Sequence, residues 1–171
     1  MSTIIQMIGF GGMAANLLSF QFKSHKRILF FRTVNEALFI LQYLLLGALS
    51  GAYLNIIGCV RNAIFSKRVE AGKSNTGYII AFSALFTAFG LLTFDGSKSV
   101  MLILAKVLST AAYGNKNTTV IRTVSFLTHI SYLFYNISVG SAAGALSDLM
   151  LLGSLAAAIV RFDIHPRIKN H

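Results

Sequence analysis

The sequence contains few of the residues that build soluble or cross-linked scaffolds. It has one cysteine, one proline, no tryptophan and only 5 acidic residues among 171. The single cysteine, Cys59, excludes a disulfide framework and a multi-cysteine zinc site. The single proline, Pro166, is not typical of a loop-rich or disordered chain. Charged residues make up 12% of the chain, which is roughly half of their usual share in soluble domains.

Apolar and basic residues are abundant instead. Hydrophobic residues make up 55% of the chain, and 15 lysines and arginines against 5 acidic residues give a formal net charge of +10. The basic residues occur in short clusters between long apolar runs, whereas a nucleic-acid-binding domain carries them on one continuous face. We therefore expect a polytopic membrane protein whose partner is the lipid bilayer, and we exclude nucleic acid as a partner.

Seven apolar segments are long enough to be read as membrane helices. A helix that crosses a bilayer needs about 20 mostly apolar residues, with a range of about 17–25. This length predicts an all-α protein with seven transmembrane helices. The segments cover roughly residues 3–20, 27–47, 51–66, 76–94, 98–114, 118–138 and 142–162.

The loops between these segments fall into two sets by charge. The first set and the tail are basic, and their residues are Lys23, Lys26, Arg27, Lys67, Arg68, Lys73, Lys116, Arg122, Arg161, Arg167 and Lys169. The second set carries almost no net charge, and its one charged turn holds both Asp95 and Lys98. Because basic loops stay in the cytoplasm, we expect the amino terminus outside and the carboxyl terminus in the cytoplasm.

The two halves of the chain are similar to each other at an offset of 90, which becomes 93 after an insertion of three residues. The matched positions are Leu18-Ser19 with Leu108-Ser109, Asn16 with Lys106, Arg32-Thr33-Val34 with Arg122-Thr123-Val124, Gly51-Ala52 with Gly144-Ala145, and Asn55 with Asp148. The similarity predicts a parallel 3+1+3 repeat of three-helix bundles within one membrane domain, residues 1–171. Repeat one is about 3–66, the linker helix about 76–94, repeat two about 98–162, and the cytoplasmic tail 163–171.

The predicted arrangement resembles that of sugar transporters of the SWEET type, which are built from parallel repeats. The stretch FQFKSHKR, which follows the first helix, is also similar to the PQ-loop motif of that superfamily. Gln21 stands in the position of the motif's glutamine, and Phe20 stands where the motif has its proline. This resemblance implies a transporter or facilitator of small solutes.

Three stretches resemble the bacterial inner-membrane YgjV family. They are LNIIGCVRNAIFSKR, KVLSTAAYGNKN and GSAAGALSDLMLLGSLAAAIVRF. The resemblance covers most of the chain, from about the first helix to the closing Arg161-Phe162. It implies a location in the bacterial inner membrane, but it implies no particular chemistry.

Polar side chains within the predicted helices are costly in a bilayer, so each needs a role or a partner. Six of them are candidates for substrate binding: Asn16, Glu36, Asn55, Lys106, His129 and Asp148. One interpretation is a polar pocket at the interface of the two repeats, where transporters with internal repeats bind substrate. The other is a single neutralised pair, Lys106 with Glu36 or with Asp148. His129 by itself is more typical of a hydrogen-bonded core histidine than of a proton relay.

Further polar and glycine positions have structural interpretations. Arg32, Arg122 and the Arg61-Asn62 pair lie near the predicted cytoplasmic ends of their helices, and we expect them to extend to lipid phosphates. The alternative is that they bind an anionic group. The spacing Gly47-x-x-x-Gly51 recurs as Gly140-x-x-x-Gly144. These glycines are interpreted as tight turns rather than as a dimer face, with a homo-oligomer as the alternative.

No motif in the sequence indicates an enzyme. There is no Gly-x-Ser-x-Gly elbow, P-loop, His-Glu-x-x-His or dinucleotide-binding glycine pattern, so we expect no catalytic residues, metal or cofactor. Two functions follow. The first is a transporter or facilitator of a small polar solute, and the alternative is a membrane scaffold or sensor that acts through partners. The lack of intramembrane proline weighs against the first, because prolines provide helix bends.

Overall fold

The computed structural model describes residues 3–45, 49–92, 96–138 and 142–164. Within these ranges the chain is all-α, with seven helices and no strand, as the sequence predicts. The helices are α1 (Thr3–Ser19), α2 (His25–Leu45), α3 (Leu49–Glu70), α4 (Thr76–Leu92), α5 (Gly96–Tyr113), α6 (Thr118–Ser138) and α7 (Ala142–Ile159), and a π-helical turn (Val160–Ile164) follows α7.

Two helices run further than their apolar segments. The predicted third segment ends at residue 66, but α3 continues to Glu70 and ends just before Gly72. Gly72 has a φ of 64°, a left-handed conformation that glycine adopts without strain, and its N–H donates to the Val69 carbonyl at 3.1 Å. The π-helical turn likewise continues α7 into the predicted tail. Hydropathy marks where apolar residues stop, whereas backbone hydrogen bonding marks where a helix stops.

The chain divides into two compact units, with the boundary between Asn75 and Thr76. In the first unit, α2 packs against both α1 and α3. In the second unit, α6 packs against both α5 and α7, and α4 packs against α5. The helix predicted as a linker therefore belongs with the second half of the chain. The parallel repeat and the single membrane domain stay predictions.

Many large apolar side chains lie on the surface of these units, including Met7 at 68% exposure, Ile80 at 65% and Phe134 at 61%. Extensive exposed apolar surface is unusual for a soluble monomer and is typical of a membrane or partner interface. Among the described residues, one helical segment, Ala145–Ile164, is both long and apolar enough to cross a membrane. Shorter apolar helical segments are Met7–Ser19, Thr76–Leu92 and Ile103–Tyr113. Seven membrane crossings therefore stay a prediction.

Some of the sequence predictions lie outside the described residues. They concern the turn glycines Gly47 and Gly140, the loop residue Asp95, and the basic tail residues Arg167 and Lys169.

Candidate functional site

A cluster of charged and amide side chains is buried between α2 and α3. Arg61 Nη2 donates to Glu36 Oε1 at 3.3 Å, and Asn62 Nδ2 donates to Glu36 Oε2 at 2.8 Å. Arg61 also donates to Asn62 Oδ1, from Nε at 3.2 Å and from Nη2 at 3.0 Å. The exposed fractions of Glu36, Arg61 and Asn62 are 3%, 1% and 0%. This α2–α3 charge cluster (Glu36, Arg61, Asn62) is therefore neutral as a group, and both carboxylate oxygens of Glu36 are hydrogen-bonded.

A glycine allows the cluster to form. Gly58 lies one turn before Asn62 on α3, and a Cβ placed there would lie 2.5 Å from Glu36 Oε1. Real Cβ atoms essentially never come so close to another heavy atom, so any side chain at this position would displace the carboxylate. The absence of a side chain at Gly58 thus gives Glu36 the room to reach Arg61 and Asn62.

The cluster corrects the prediction for Arg61 and Asn62. Arg61 and Asn62 do not extend to lipid phosphates, because both are buried against Glu36. The prediction was wrong because it ended the third helix at residue 66, whereas α3 continues to Glu70, about 14 Å beyond Arg61. Glu36 is paired with Arg61 of its own unit, and a pair of Glu36 with Lys106 stays a prediction.

A second set of polar contacts joins α1 to α2. Arg32 Nη1 donates to the side-chain carbonyl of Asn16, and Asn35 Nδ2 donates to the Gly12 carbonyl at 2.8 Å. The Arg32 guanidinium also lies 5.7 Å from the centre of the Phe20 ring. The guanidinium of the half-buried Arg32 thus contacts the side chain of Asn16 on α1, and its extension to lipid phosphates stays a prediction. Asn16, a predicted substrate-binding residue, is the acceptor of this contact.

In the second unit, His129 on α6 and Asp148 on α7 form a buried pair. His129 Nδ1 lies 3.1 Å from Asp148 Oδ1, and the two residues are 7% and 8% exposed. The Tyr132 ring, one turn further along α6, lies 5.3 Å from the imidazole. The structure thus brings together two of the six predicted site residues. An imidazole beside a carboxylate is able to hold a proton and to share it as an ion pair.

Besides Glu36–Arg61 and His129–Asp148, a third buried pair lies between the beginning of α6 and the π-helical turn that follows α7. Arg122 Nη1 donates to Asp163 Oδ1 at 2.9 Å, and the Thr119 hydroxyl donates to the same oxygen at 2.8 Å. Arg122 is 1% exposed, and its guanidinium lies 5.0 Å from the centre of the Phe162 ring. Asp163 Oδ2 is buried and has no hydrogen-bond partner among the described residues.

This pair overturns a further prediction. Arg122 does not extend to lipid phosphates, since its guanidinium is enclosed by Asp163 and Phe162. Asp163 was missed because it follows the last predicted apolar segment and was assigned to the tail. The π-helical turn carries it back against α6 instead. An acidic residue directly after an apolar segment is the signal that could have identified it.

The two remaining candidates have less defined surroundings. Lys106 is half-buried, and its ammonium lies 5.5 Å from the centre of the Phe86 ring on α4. Asn55 is half-buried on α3, two turns before Asn62. A Lys106–Asp148 pair and a pocket shared by all six residues stay predictions. Within the described ranges, no group of three or more His, Cys, Asp or Glu residues is arranged to hold a metal ion.

Comparison with known proteins identifies the family of this chain. Residues 3–165 match the Imp-YgjV family, which is described as a family of bacterial inner membrane proteins. No curated protein and no solved structure matches the chain. The matched range includes all seven helices and the π-helical turn. It also includes the α2–α3 charge cluster and the buried pairs His129–Asp148 and Arg122–Asp163. The chain therefore belongs to the Imp-YgjV family of bacterial inner membrane proteins.

Proposed function

We propose that this chain is a multi-pass transporter or facilitator of a small polar solute in the inner membrane. The observation that carries the proposal is the His129–Asp148 pair, because ionisable side chains within membrane helices are costly and are usually functional. His129 lies near the middle of α6, about 16 Å from its first residue. The pair offers an imidazole and a carboxylate for hydrogen bonds to a polar solute, or for holding a coupled proton.

Seven crossings in a parallel 3+1+3 repeat, with the amino terminus outside, form the framework of this proposal. Repeat-related serines support it: Ser19 donates to the Asn16 carbonyl at 2.7 Å, and Ser109 donates to the Lys106 carbonyl at 3.0 Å. Both halves also have a middle helix, α2 or α6, that packs against the helices before and after it. The SWEET-like topology and the PQ-loop-like stretch at Phe20-Gln21 are part of the same proposal.

The remaining predicted residues take different roles in this proposal. Glu36 is already paired with Arg61 and hydrogen-bonded by Asn62, so we assign the coupling of a proton to His129 rather than to Glu36. Lys106 and Asn55 are the candidates for direct contact with the solute, because both are half-buried polar side chains within their helices.

The alternative function is a scaffold or sensor that acts through partners, with a second copy of the chain, in a homo-oligomer, as one such partner. The fully hydrogen-bonded Glu36 carboxylate favours it. A charge that is satisfied within its own helix bundle serves helix association, and it needs no solute.

Transport measurements with purified protein in liposomes distinguish the two functions. We expect wild-type protein to give uptake of at least one member of a panel of radiolabelled polar solutes, and His129→Gln to reduce that uptake by at least about tenfold. Thr123→Val, an exposed position on the same helix, is the control and should transport like wild type. Absence of uptake by wild type would favour the scaffold. Wild-type uptake that neither His129→Gln nor Lys106→Met reduces would contradict the assignment of the site to these two residues.

A further inference from the structure

The first unit gathers its surface charges at one end. Lys26 Nζ, in the first turn of α2, lies 3.3 Å from Glu70 Oε2, in the last turn of α3. This contact brings together two basic stretches that are about forty residues apart in the sequence. We call this surface the basic end, and its residues are Lys23, Lys26, Arg27, Lys67, Arg68 and Lys73, with Glu70 among them.

The basic end has a large excess of positive charge. It has six basic side chains and one acidic side chain, Glu70. The other acidic residue of residues 1–75 is Glu36, which is buried against Arg61. Five of the six basic residues are exposed, and the sixth, Arg68, donates from Nε to Asn75 Oδ1 at 3.1 Å. The charges are therefore on the surface and attract an anion.

Exposed apolar side chains lie close in sequence to these basic residues. Leu18, near the end of α1, is 50% exposed, and Phe30, one turn into α2, is 61% exposed. The Phe22 ring stacks on the Phe31 ring at 5.0 Å, and the Arg27 guanidinium lies 5.7 Å from the Phe22 ring centre. A basic surface bordered by exposed aliphatic and aromatic groups suits an amphiphile with an anionic head and an apolar tail.

We infer that the basic end binds the phosphate headgroup of an anionic phospholipid. The phosphodiester is held by the lysines and Arg27, and its acyl chains lie along Leu18 and Phe30. A soluble anion would use the charges but would leave the neighbouring apolar side chains uncovered. This binding is independent of transport, and it would hold for a scaffold equally well.

Native mass spectrometry of the full-length protein, titrated with phosphatidylglycerol or phosphatidylcholine in detergent, tests the inference. We expect wild type to bind phosphatidylglycerol at least about tenfold more tightly than phosphatidylcholine. The triple variant Lys23→Gln/Arg27→Gln/Lys67→Gln should lose about 100-fold, because each basic residue near a membrane surface contributes about fivefold. The control Lys116→Gln/Arg161→Gln changes exposed basic residues of the second unit and should bind like wild type.

A variant with the opposite effect guards against misfolding as an explanation. Glu70→Gln removes the one acidic side chain of the basic end, and it should strengthen phosphatidylglycerol binding by about fivefold. Equal binding of the two lipids to wild type, or equal loss in the triple variant and its control, would overturn the inference. So would full competition by millimolar glycerol phosphate, because the ligand would then be a soluble phosphate rather than a lipid.

Discussion

Arg122 and Asp163 form an ion pair of 2.9 Å in which both side chains are at most 7% exposed. They lie 41 positions apart in the sequence, and the contact joins the second turn of α6 to the π-helical turn after α7. Because Asp163 lies within the π-helical turn, its ion pair with Arg122 holds the end of α7 against α6. Its contribution to stability is directly measurable.

Removing one member of this pair should destabilise the protein. Asp163→Asn leaves the Arg122 guanidinium buried without its counter-charge, and such a loss costs about 3–5 kcal/mol. Replacing both, as Arg122→Met/Asp163→Leu, should restore most of this stability, because no uncompensated charge remains. Thermal unfolding in detergent, followed by circular dichroism, provides the comparison. A double variant less stable than Asp163→Asn would contradict the expected pairing.

A methyl group at Gly58 should disturb the α2–α3 charge cluster. Gly58→Ala forces Glu36 away from its present position, and overpacking of this kind costs about 1–3 kcal/mol. Gly77→Ala is the matched control, because a Cβ there meets no atom within 4 Å. The control should be neutral or slightly stabilising. Equal unfolding temperatures for the two variants would show that Glu36 does not pack against Gly58.

The ammonium of Lys106 should be coupled energetically to the Phe86 ring below it. A cation over an aromatic ring contributes about 0.5–2 kcal/mol, and the separation here is 5.5 Å. A double-mutant cycle of Lys106→Met and Phe86→Leu isolates this term, since Phe86 is buried and its truncation also costs packing. Unfolding free energies that add without a coupling term would mean that the lysine is held elsewhere.

The orientation of the chain is testable by labelling from outside intact cells. We expect a tag near Ser97 to react with a membrane-impermeant reagent, and tags near Gly72 and after Lys169 to react only after permeabilisation. The reason is the concentration of basic residues in the loops predicted to be cytoplasmic. Labelling near Gly72 in intact cells would contradict both the orientation and the parallel repeat.

The sequence predicts the existence and order of all seven helices, because apolar runs of fixed length leave few alternatives. It does not predict which polar residues pair. The contact of Glu36 with Arg61 depends on how α2 packs against α3, which the lengths of apolar segments do not give. The extra turn of α3, from residue 66 to Glu70, also puts Arg61 further from the helix end than the apolar segment predicts. The contact of Asp163 with Arg122 depends on a π-helical turn, which hydropathy does not predict.

The His129–Asp148 contact is predicted only in part from the sequence. Polarity within an apolar segment identifies both residues, so both are found from the sequence. Their contact also requires the rotation of α6 relative to α7 about their axes, which is set by packing of the side chains between them. Leu151 and Leu155 lie one and two turns after Asp148 on α7, and they are buried at 1% and 0% exposure.

The sequence spacing of the Glu36–Arg61 and His129–Asp148 contacts has a consequence for synthesis at the ribosome. Glu36 meets Arg61 after 25 further positions, and His129 meets Asp148 after 19. Glu36 and His129 therefore each contact a residue of the helix that is synthesised next, and no later helix is needed for the contact to form. Because Arg61 is on α3, the Glu36 carboxylate is able to form its ion pair as soon as α3 has been made. Helices α1 to α3 are then able to leave the insertion machinery with that charge already neutralised.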